Sequence, residues 1–178
     1  GLNPISLKVS DEFHRAAPGG SGGVKAIGNY APGMMPSKKA KAEGYAEIIY
    51  LDAVEHRYVE EVGAANFFCV KDNVLYTPEL TGTILPGITR LSTIELARSL
   101  GYEVHETKVD IEFAMQADEA FCAGTAAVIS PIGKIEQSGK VTEYCEGEIG
   151  PITRQLYDAL TAIQEGRAED PFGWTPSV

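Results

Sequence analysis

The chain has 178 residues, 44% of them hydrophobic and 22% charged, with a formal net charge of −10 from 25 acidic and 15 basic side chains. That length suits one domain with a sizeable core, and the composition argues against wholesale disorder. The acidic balance repels phosphate backbones, and no apolar run nears the roughly 18 residues that span a bilayer, so neither a nucleic-acid nor a membrane partner is expected.

Cys69, Cys122 and Cys145 are odd in number and far apart. They predict free thiols, no disulfide framework and a reduced, cytoplasmic setting. His14, His56 and His105 stand singly on polar stretches, and no Cys/His group has metal-ligand spacing, so no metal is expected. The N-terminus lacks a basic region followed by an apolar stretch, which argues against a secretory leader. There is no initiating Met. Gly1 fits a cloning remnant, and the chain is expected to be a segment of a longer protein.

In chain order, Ile5, Leu7 and Val9 alternate with polar residues as in a strand. Residues 18–33 are glycine-rich. A linker is one interpretation, although Val-Lys-Ala-Ile and Asn-Tyr in the middle of the run argue against it. Met34 to Glu43 carries helix formers, with Lys38, Lys39 and Lys41 on a solvated face. Ala46–Leu51 predicts a buried strand. Arg57–Val62 and Asn66–Val70 predict two more around Gly63, and Val74–Tyr76 completes a hairpin across Lys71-Asp72-Asn73. Ile88, Leu91, Ile94 and Leu100 predict one face of a helix ending at Gly101. A strand over 102–108 and a short helix over 111–117 follow. Strands over 120–122 and 126–132 flank Gly124-Thr125, and two short strands flank Gly139. Ile152, Leu156, Leu160 and Ile163 predict an amphipathic helix from Pro151, and a tail over 170–178 holds Trp174. The fold class expected is mixed α/β, of α+β character, with a largely antiparallel sheet.

Four places can carry chemistry. Lys25 lies five residues before Tyr30 in the glycine-rich run; a lysine amine is a nucleophile only in its neutral form, and a solvated surface lysine is the other interpretation. Glu60-Glu61 sits in an apolar strand beside Gly63-Ala64-Ala65, which leave room for a flat ligand; an edge-strand glutamate facing water fits the same pattern. Gly82–Arg90 opens a helix whose free N–H groups favour an anion. Thr125, after Gly124, offers a hydroxyl and backbone amides between two strands.

Together these residues resemble the class IV (fold type IV) pyridoxal-phosphate aminotransferases. Glu61, Gly63, Asn66, Phe67 and Phe68, then Leu75-Tyr76-Thr77, then Leu85-Pro86-Gly87-Ile88-Thr89-Arg90 follow that family's signature at its spacing. Lys25 before Gly28-Asn29-Tyr30, the run Phe121 to Ala126, and Gly150-Pro151 through Trp174 resemble the branched-chain amino acid aminotransferases within it. The resemblance implies a pseudo-barrel of largely antiparallel strands with flanking helices. It covers only the family's C-terminal large domain, here residues 1–178, without the small N-terminal domain.

The resemblance also implies roles. Lys25 would bind pyridoxal 5′-phosphate covalently and carry the transferred proton. Glu61 would face the pyridine nitrogen, and Tyr30 the ring's 3′-oxygen. Ile88, Thr89, Thr125 and Arg15 would hold the phosphate. Tyr30, Ala64, Thr125 and Ala126 would border the substrate. Some members carry a redox Cys-x-x-Cys where this chain reads Ala127-Val128-Ile129-Ser130, so no thiol switch is expected there. The implied reaction moves an amino group from leucine, isoleucine or valine to 2-oxoglutarate, in a homodimer. A D-amino acid aminotransferase, an aminodeoxychorismate lyase, or a folded but silent fragment are the alternatives.

Overall fold

The computed structural model describes residues 2–175; Gly1 and the end of the expected tail, Pro176 to Val178, lie outside the described residues. The strands are β1 (Ile5–Ser10), β2 (Glu47–Leu51), β3 (Val59–Val62), β4 (Ala65–Lys71), β5 (Val74–Pro78), β6 (Glu103–Thr107), β7 (Glu119–Gly124), β8 (Val128–Gln137) and β9 (Lys140–Glu143). The helices are α1 (Met34–Ala42), α2 (Ile88–Ser99), α3 (Ile111–Ala114) and α4 (Pro151–Gln164).

The sheet runs in the order β3-β2-β1-β8-β7-β4-β5-β6, with β9 on β8. An additional β3–β4 pairing, Glu61 opposite Asn66, returns the sheet on itself and closes a barrel. Pairing is antiparallel except for β1–β2, β1–β8 and β5–β6, which are parallel. The largely antiparallel expectation therefore holds. The exceptions are β5–β6 and the first strand, which is parallel to both neighbours; parallel partners are reached by long connections.

Alternation sorts the side chains of each strand. Leu7, Val9, Ile49, Phe67, Cys69, Cys122 and Ile132 form one core with α3. Phe68, Val70, Phe121 and Ile129 face the other way and pack under α2 and α4. Phe68 and Phe121 stack with centroids 4.9 Å apart. Fully burying each such ring is worth about 1.5–3 kcal/mol.

The predicted stripe of α4 is buried as expected. That of α2 is corrected: Ile88, Leu91 and Leu100 are exposed, and the buried face is Arg90, Thr93, Ile94, Leu96 and Ala97. Arg90 is wholly buried because its Nη2 donates to Pro78 O (2.9 Å) and Glu106 Oε2 (3.0 Å), tying α2 to β5 and β6. The strand expected from Arg57 begins only at Val59. Before it, Asp52 accepts hydrogen bonds from the N–H groups of Val54, Glu55, Arg57 and Tyr58 and shapes a turn. The histidines are not all single: the His14 and His56 rings meet edge-on at 4.6 Å.

The start of α4 has no side-chain cap of its own. Buried Glu119, on β7, accepts from Ile152 N (3.0 Å), Thr153 N (2.8 Å) and Thr153 Oγ1 (2.7 Å). A Cβ at Gly150 would collide with that carboxylate. Glu119→Ala is therefore expected to cost about 3 kcal/mol, since it uncaps a helix and leaves buried donors unpaired. Urea unfolding measures this, and a loss under about 1 kcal/mol would show that water replaces the cap.

Candidate active site

β3 brings two consecutive glutamates into the protein interior. It is paired on both sides, by β2 and β4, so it is a barrel stave and not an exposed edge. Both Glu60 and Glu61 are buried. Glu61 Oε2 lies 2.6 Å from Arg15 Nε, and its Oε1 accepts from Leu85 N at 2.8 Å and Asn66 Nδ2 at 3.4 Å. A buried carboxylate needs such a counter-charge and donors, because unpaired it would cost several kcal/mol.

The structure places Arg15 against this carboxylate: its Nε faces Glu61, and its Nη2 donates to Gly22 O (3.0 Å) and Thr83 O (2.9 Å). Arg15 thereby pins the glycine-rich segment to the loop that enters α2. A Cβ at Gly22 would meet Thr83 O, so glycine is required where the two loops cross.

The glycine-rich segment is not a linker. It winds into short 3-10 turns over Ile27–Asn29 and Ala31–Gly33. Buried Asn29 stitches it: Nδ2 donates to Ser21 O (2.7 Å) and Val24 O (2.9 Å), and Ser21 Oγ donates to Asn29 Oδ1 (2.8 Å). Lys25 stands on this stitched loop and is exposed. Sequence alone gave Asn29 no role; an asparagine inside a glycine-rich run is the signal that could have found it.

Helix α2 starts at Ile88 after Gly87, with no side-chain cap, so the first-turn N–H groups of Ile88 and Thr89 stay available at the positive end of the helix. Gly87 lies against Asn66 Oδ1, which places this helix start beside Glu61's own hydrogen-bond partner. Strand register aligns the remaining loops. Asn66 pairs with Ala123, so the β3–β4 turn at Gly63-Ala64 and the β7–β8 turn at Thr125-Ala126-Ala127 share one end of the barrel. Gly124 sits beside Ala65. Ala64, Thr125 and Ala126 are exposed there.

A cleft of about 200 Å³ at this end is lined by Arg15, Asn29, Tyr30, Tyr50 and Ala64, among others. It gathers three of the expected site residues, Arg15, Tyr30 and Ala64. A larger cleft of about 300 Å³, on the Glu60 side, contains none of them. Two signature residues do not belong to the site. Thr77 donates to Phe67 O at 2.7 Å and holds β5 to β4, and Arg90 anchors α2. Asn66, Thr83 and the Leu85 N–H, all missed as site residues, make the contacts that hold Glu61 and Arg15.

Cys69 and Cys122 are buried, which pushes each thiol up to about 12 and keeps it unreactive. No cysteine among the described residues is paired in a disulfide, and no group of three or more His, Cys, Asp or Glu there could hold a metal ion. No described helix is long and apolar enough to cross a membrane.

Burial pushes the Glu61 carboxyl up to about 7, against the pull of Arg15 and the Leu85 N–H; neighbouring Glu60 adds a further push upward. The folded chain thus holds this proton more tightly than the unfolded chain, where the ordinary value is 4.5. The stabilisation is complete below the unfolded value and is lost as the pH rises to about 7. Urea midpoints of the cofactor-free chain should fall with pH across that window and fall less steeply in Glu61→Gln. Equal slopes in the two proteins would show that another group carries the dependence.

The closed barrel thus sets a buried, arginine-paired carboxylate close to an uncapped helix start, with the glycine-rich loop pinned alongside by Arg15. Residues 4–135 match the family described as amino-transferase class IV, and the chain belongs to that family. It is 52% identical to branched-chain-amino-acid aminotransferase 3, chloroplastic, of Arabidopsis thaliana, over the whole of this chain and 43% of the relative. The structure of the branched-chain amino acid aminotransferase from Escherichia coli superposes with a TM-score of 0.85 at 40% identity, covering 96% of this chain and 56% of that one. The PLP form (holo-form) of the branched-chain amino acid aminotransferase from Thermobaculum terrenum superposes with a TM-score of 0.83 at 35% identity, over 93% of this chain and 52% of that chain. The chain spans about half the length of these relatives.

Proposed function

We propose that residues 1–178 form the large, cofactor-binding domain of an aminotransferase that moves an amino group from leucine, isoleucine or valine to 2-oxoglutarate, with pyridoxal 5′-phosphate as cofactor. The observation that carries this reading is the placement of Glu61. It is a buried carboxylate, held by Arg15 and the Leu85 N–H, next to the uncapped start of α2.

The donor set fits the cofactor: a carboxylate for a ring N–H, a helix start for a phosphate, and an amine for an aldehyde. When bound, pyridoxal phosphate supplies an electron-withdrawing ring that accommodates the charge left when the substrate's α-proton departs. Lys25 would hold the cofactor through its amine and would serve as the base and acid that moves a proton between the substrate's α-carbon and the cofactor's C4′. Glu61 keeps the ring nitrogen protonated. Arg15 holds Glu61 in place and lies near the phosphate, which the Ile88 and Thr89 amides and the Thr125 hydroxyl receive. Tyr30 donates toward the ring's 3′-oxygen. Ala64, Tyr30 and the Thr125-Ala126 backbone border the substrate's side chain and carboxylate.

Val24 and Ile27, either side of Lys25, are 58% and 90% exposed, and Met34 and Met35, at the start of α1, are 74% and 63% exposed. Exposed apolar side chains of this size support burial in a homodimer of the longer protein. Three free cysteines, two of them buried, support a reduced, cytoplasmic setting.

The test is an amino-donor screen on the full-length gene product with 2-oxoglutarate as acceptor and glutamate as the readout. L-leucine, L-isoleucine and L-valine should be preferred. Preference for D-amino acids, or lyase activity on aminodeoxychorismate, would overturn the substrate assignment. For the 178-residue chain alone, a silent-fragment reading is favoured by the exposure of Lys25, Thr125 and Ala126. Water there weakens each electrostatic contact. The isolated chain should therefore bind pyridoxal phosphate weakly and yield little or no glutamate. A rate ordinary for aminotransferases would show a complete site in this domain.

A further inference from the structure

Glu60 is a buried acid with no place in the site just described. Its side chain leaves β3 on the side opposite Glu61 and lines the 300 Å³ cleft with Asp52, Tyr58, Glu79, Thr81 and Lys108. Its Oε1 accepts from Thr83 Oγ1 at 2.5 Å, while its Oε2 is buried without a hydrogen-bond partner. A group that forgoes hydration for one short bond is expensive to keep. The partner of that bond explains its use.

Thr83 lies on the loop between β5 and α2. Its carbonyl accepts from Arg15 Nη2, which also reaches Gly22 O on the Lys25 loop. Two residues on, Leu85 donates its N–H to Glu61 and its carbonyl accepts from Asn66. The same loop ends at Gly87, where α2 starts. It is therefore gripped from both sides of β3: by Glu60 through the Thr83 hydroxyl, and by Glu61 through the Leu85 amide. We infer that Glu60 is a positioning residue: through Thr83 it registers the Arg15-bearing segment, the Lys25 loop and the start of α2 against Glu61. The inference rests on the cofactor assignment only for its functional consequence; the clamp itself is a statement about the chain.

Thr83→Val keeps the volume and the backbone carbonyl but removes the hydroxyl, and Thr83→Ser restores it. Glu60→Leu removes the acceptor, and Glu60→Gln retains one. Three measurements on the full-length gene product decide the matter: amide NMR signals of Gly22 and Leu85, the dissociation constant for pyridoxal phosphate by absorbance titration, and the thermal midpoint. Thr83→Val should shift both amide signals and weaken pyridoxal phosphate binding tenfold or more. Thr83→Ser should return the signals and bring binding within threefold of wild type. Should Thr83→Val fail to fold, Glu60→Leu against Glu60→Gln gives the same contrast. A folded Thr83→Val or Glu60→Leu with unmoved Gly22 and Leu85 signals and binding within twofold of wild type would overturn the inference. So would an equal loss of binding in Thr83→Ser at an unchanged thermal midpoint. A wild-type full-length gene product that takes up no pyridoxal phosphate would count against the cofactor assignment alone, and the amide signals would then decide the clamp.

Discussion

Lys25→Ala is expected to abolish covalent attachment of pyridoxal phosphate and, in the full-length gene product, to reduce transamination to background. Lys25 is exposed on a loop held by Asn29 and Arg15, whereas Lys38, Lys39 and Lys41 are spent on the solvated face of α1. Borohydride treatment followed by peptide mass analysis should find the pyridoxyl group on the wild-type peptide containing residue 25 and none in the variant. Label on another lysine of the wild-type protein, with the Lys25 peptide unmodified, would remove Lys25 from its role. The loss is large because no neighbouring amine on the stitched loop can substitute, and proton transfer by a positioned base is itself worth about 10²–10⁴-fold.

Glu61→Gln is expected to lower turnover about a hundredfold while leaving cofactor bound, the effect of removing a preorganised charge from the place where the reaction needs it. Structure adds a second consequence. Arg15 would be left as a buried cation with only the Gly22 and Thr83 carbonyls. Removing one member of a buried ion pair costs about 3–5 kcal/mol. The variant should therefore unfold at lower urea as well as turn over slowly. Turnover within twofold of wild type would show Glu61 to be structural only. A loss of turnover that Arg15→Met in the Glu61→Gln background repairs would place the defect in the orphaned arginine instead.

Strand and helix positions were largely legible because they rest on periodicity and turn chemistry. Alternation gave β1 and the β4–β5 hairpin, and the four-residue spacing from Ile152 gave α4. The stripe on α2 misled because two polar residues, Arg90 and Thr93, occupy its buried face. Thr93 is satisfied within the helix by the Thr89 carbonyl, but the burial of Arg90 depends on Pro78 and Glu106, neither of which is visible in a local pattern. The site was legible as residues and not as contacts. Glu61 stood out as a carboxylate in an apolar strand, and the resemblance located Lys25 and Tyr30. The Arg15–Glu61 contact was not legible, because a sequence shows that a cation is near a site but not which anion faces it.

By itself, the sequence determined the elements, the free cysteines, the acidic surface and, through the spacing of Glu61, Asn66, Thr77 and Arg90, the family. Each depends on residues a few positions apart or on a motif of set intervals. Only the tertiary structure decided that β3 is a closed stave, that Glu61 and Arg15 are a buried pair, and that Glu60 grips Thr83 across the strand. These last two contacts join residues far apart in the chain, and their energies come from burial and from counter-charges. Both exist only once the barrel has closed and water has been excluded from between its loops.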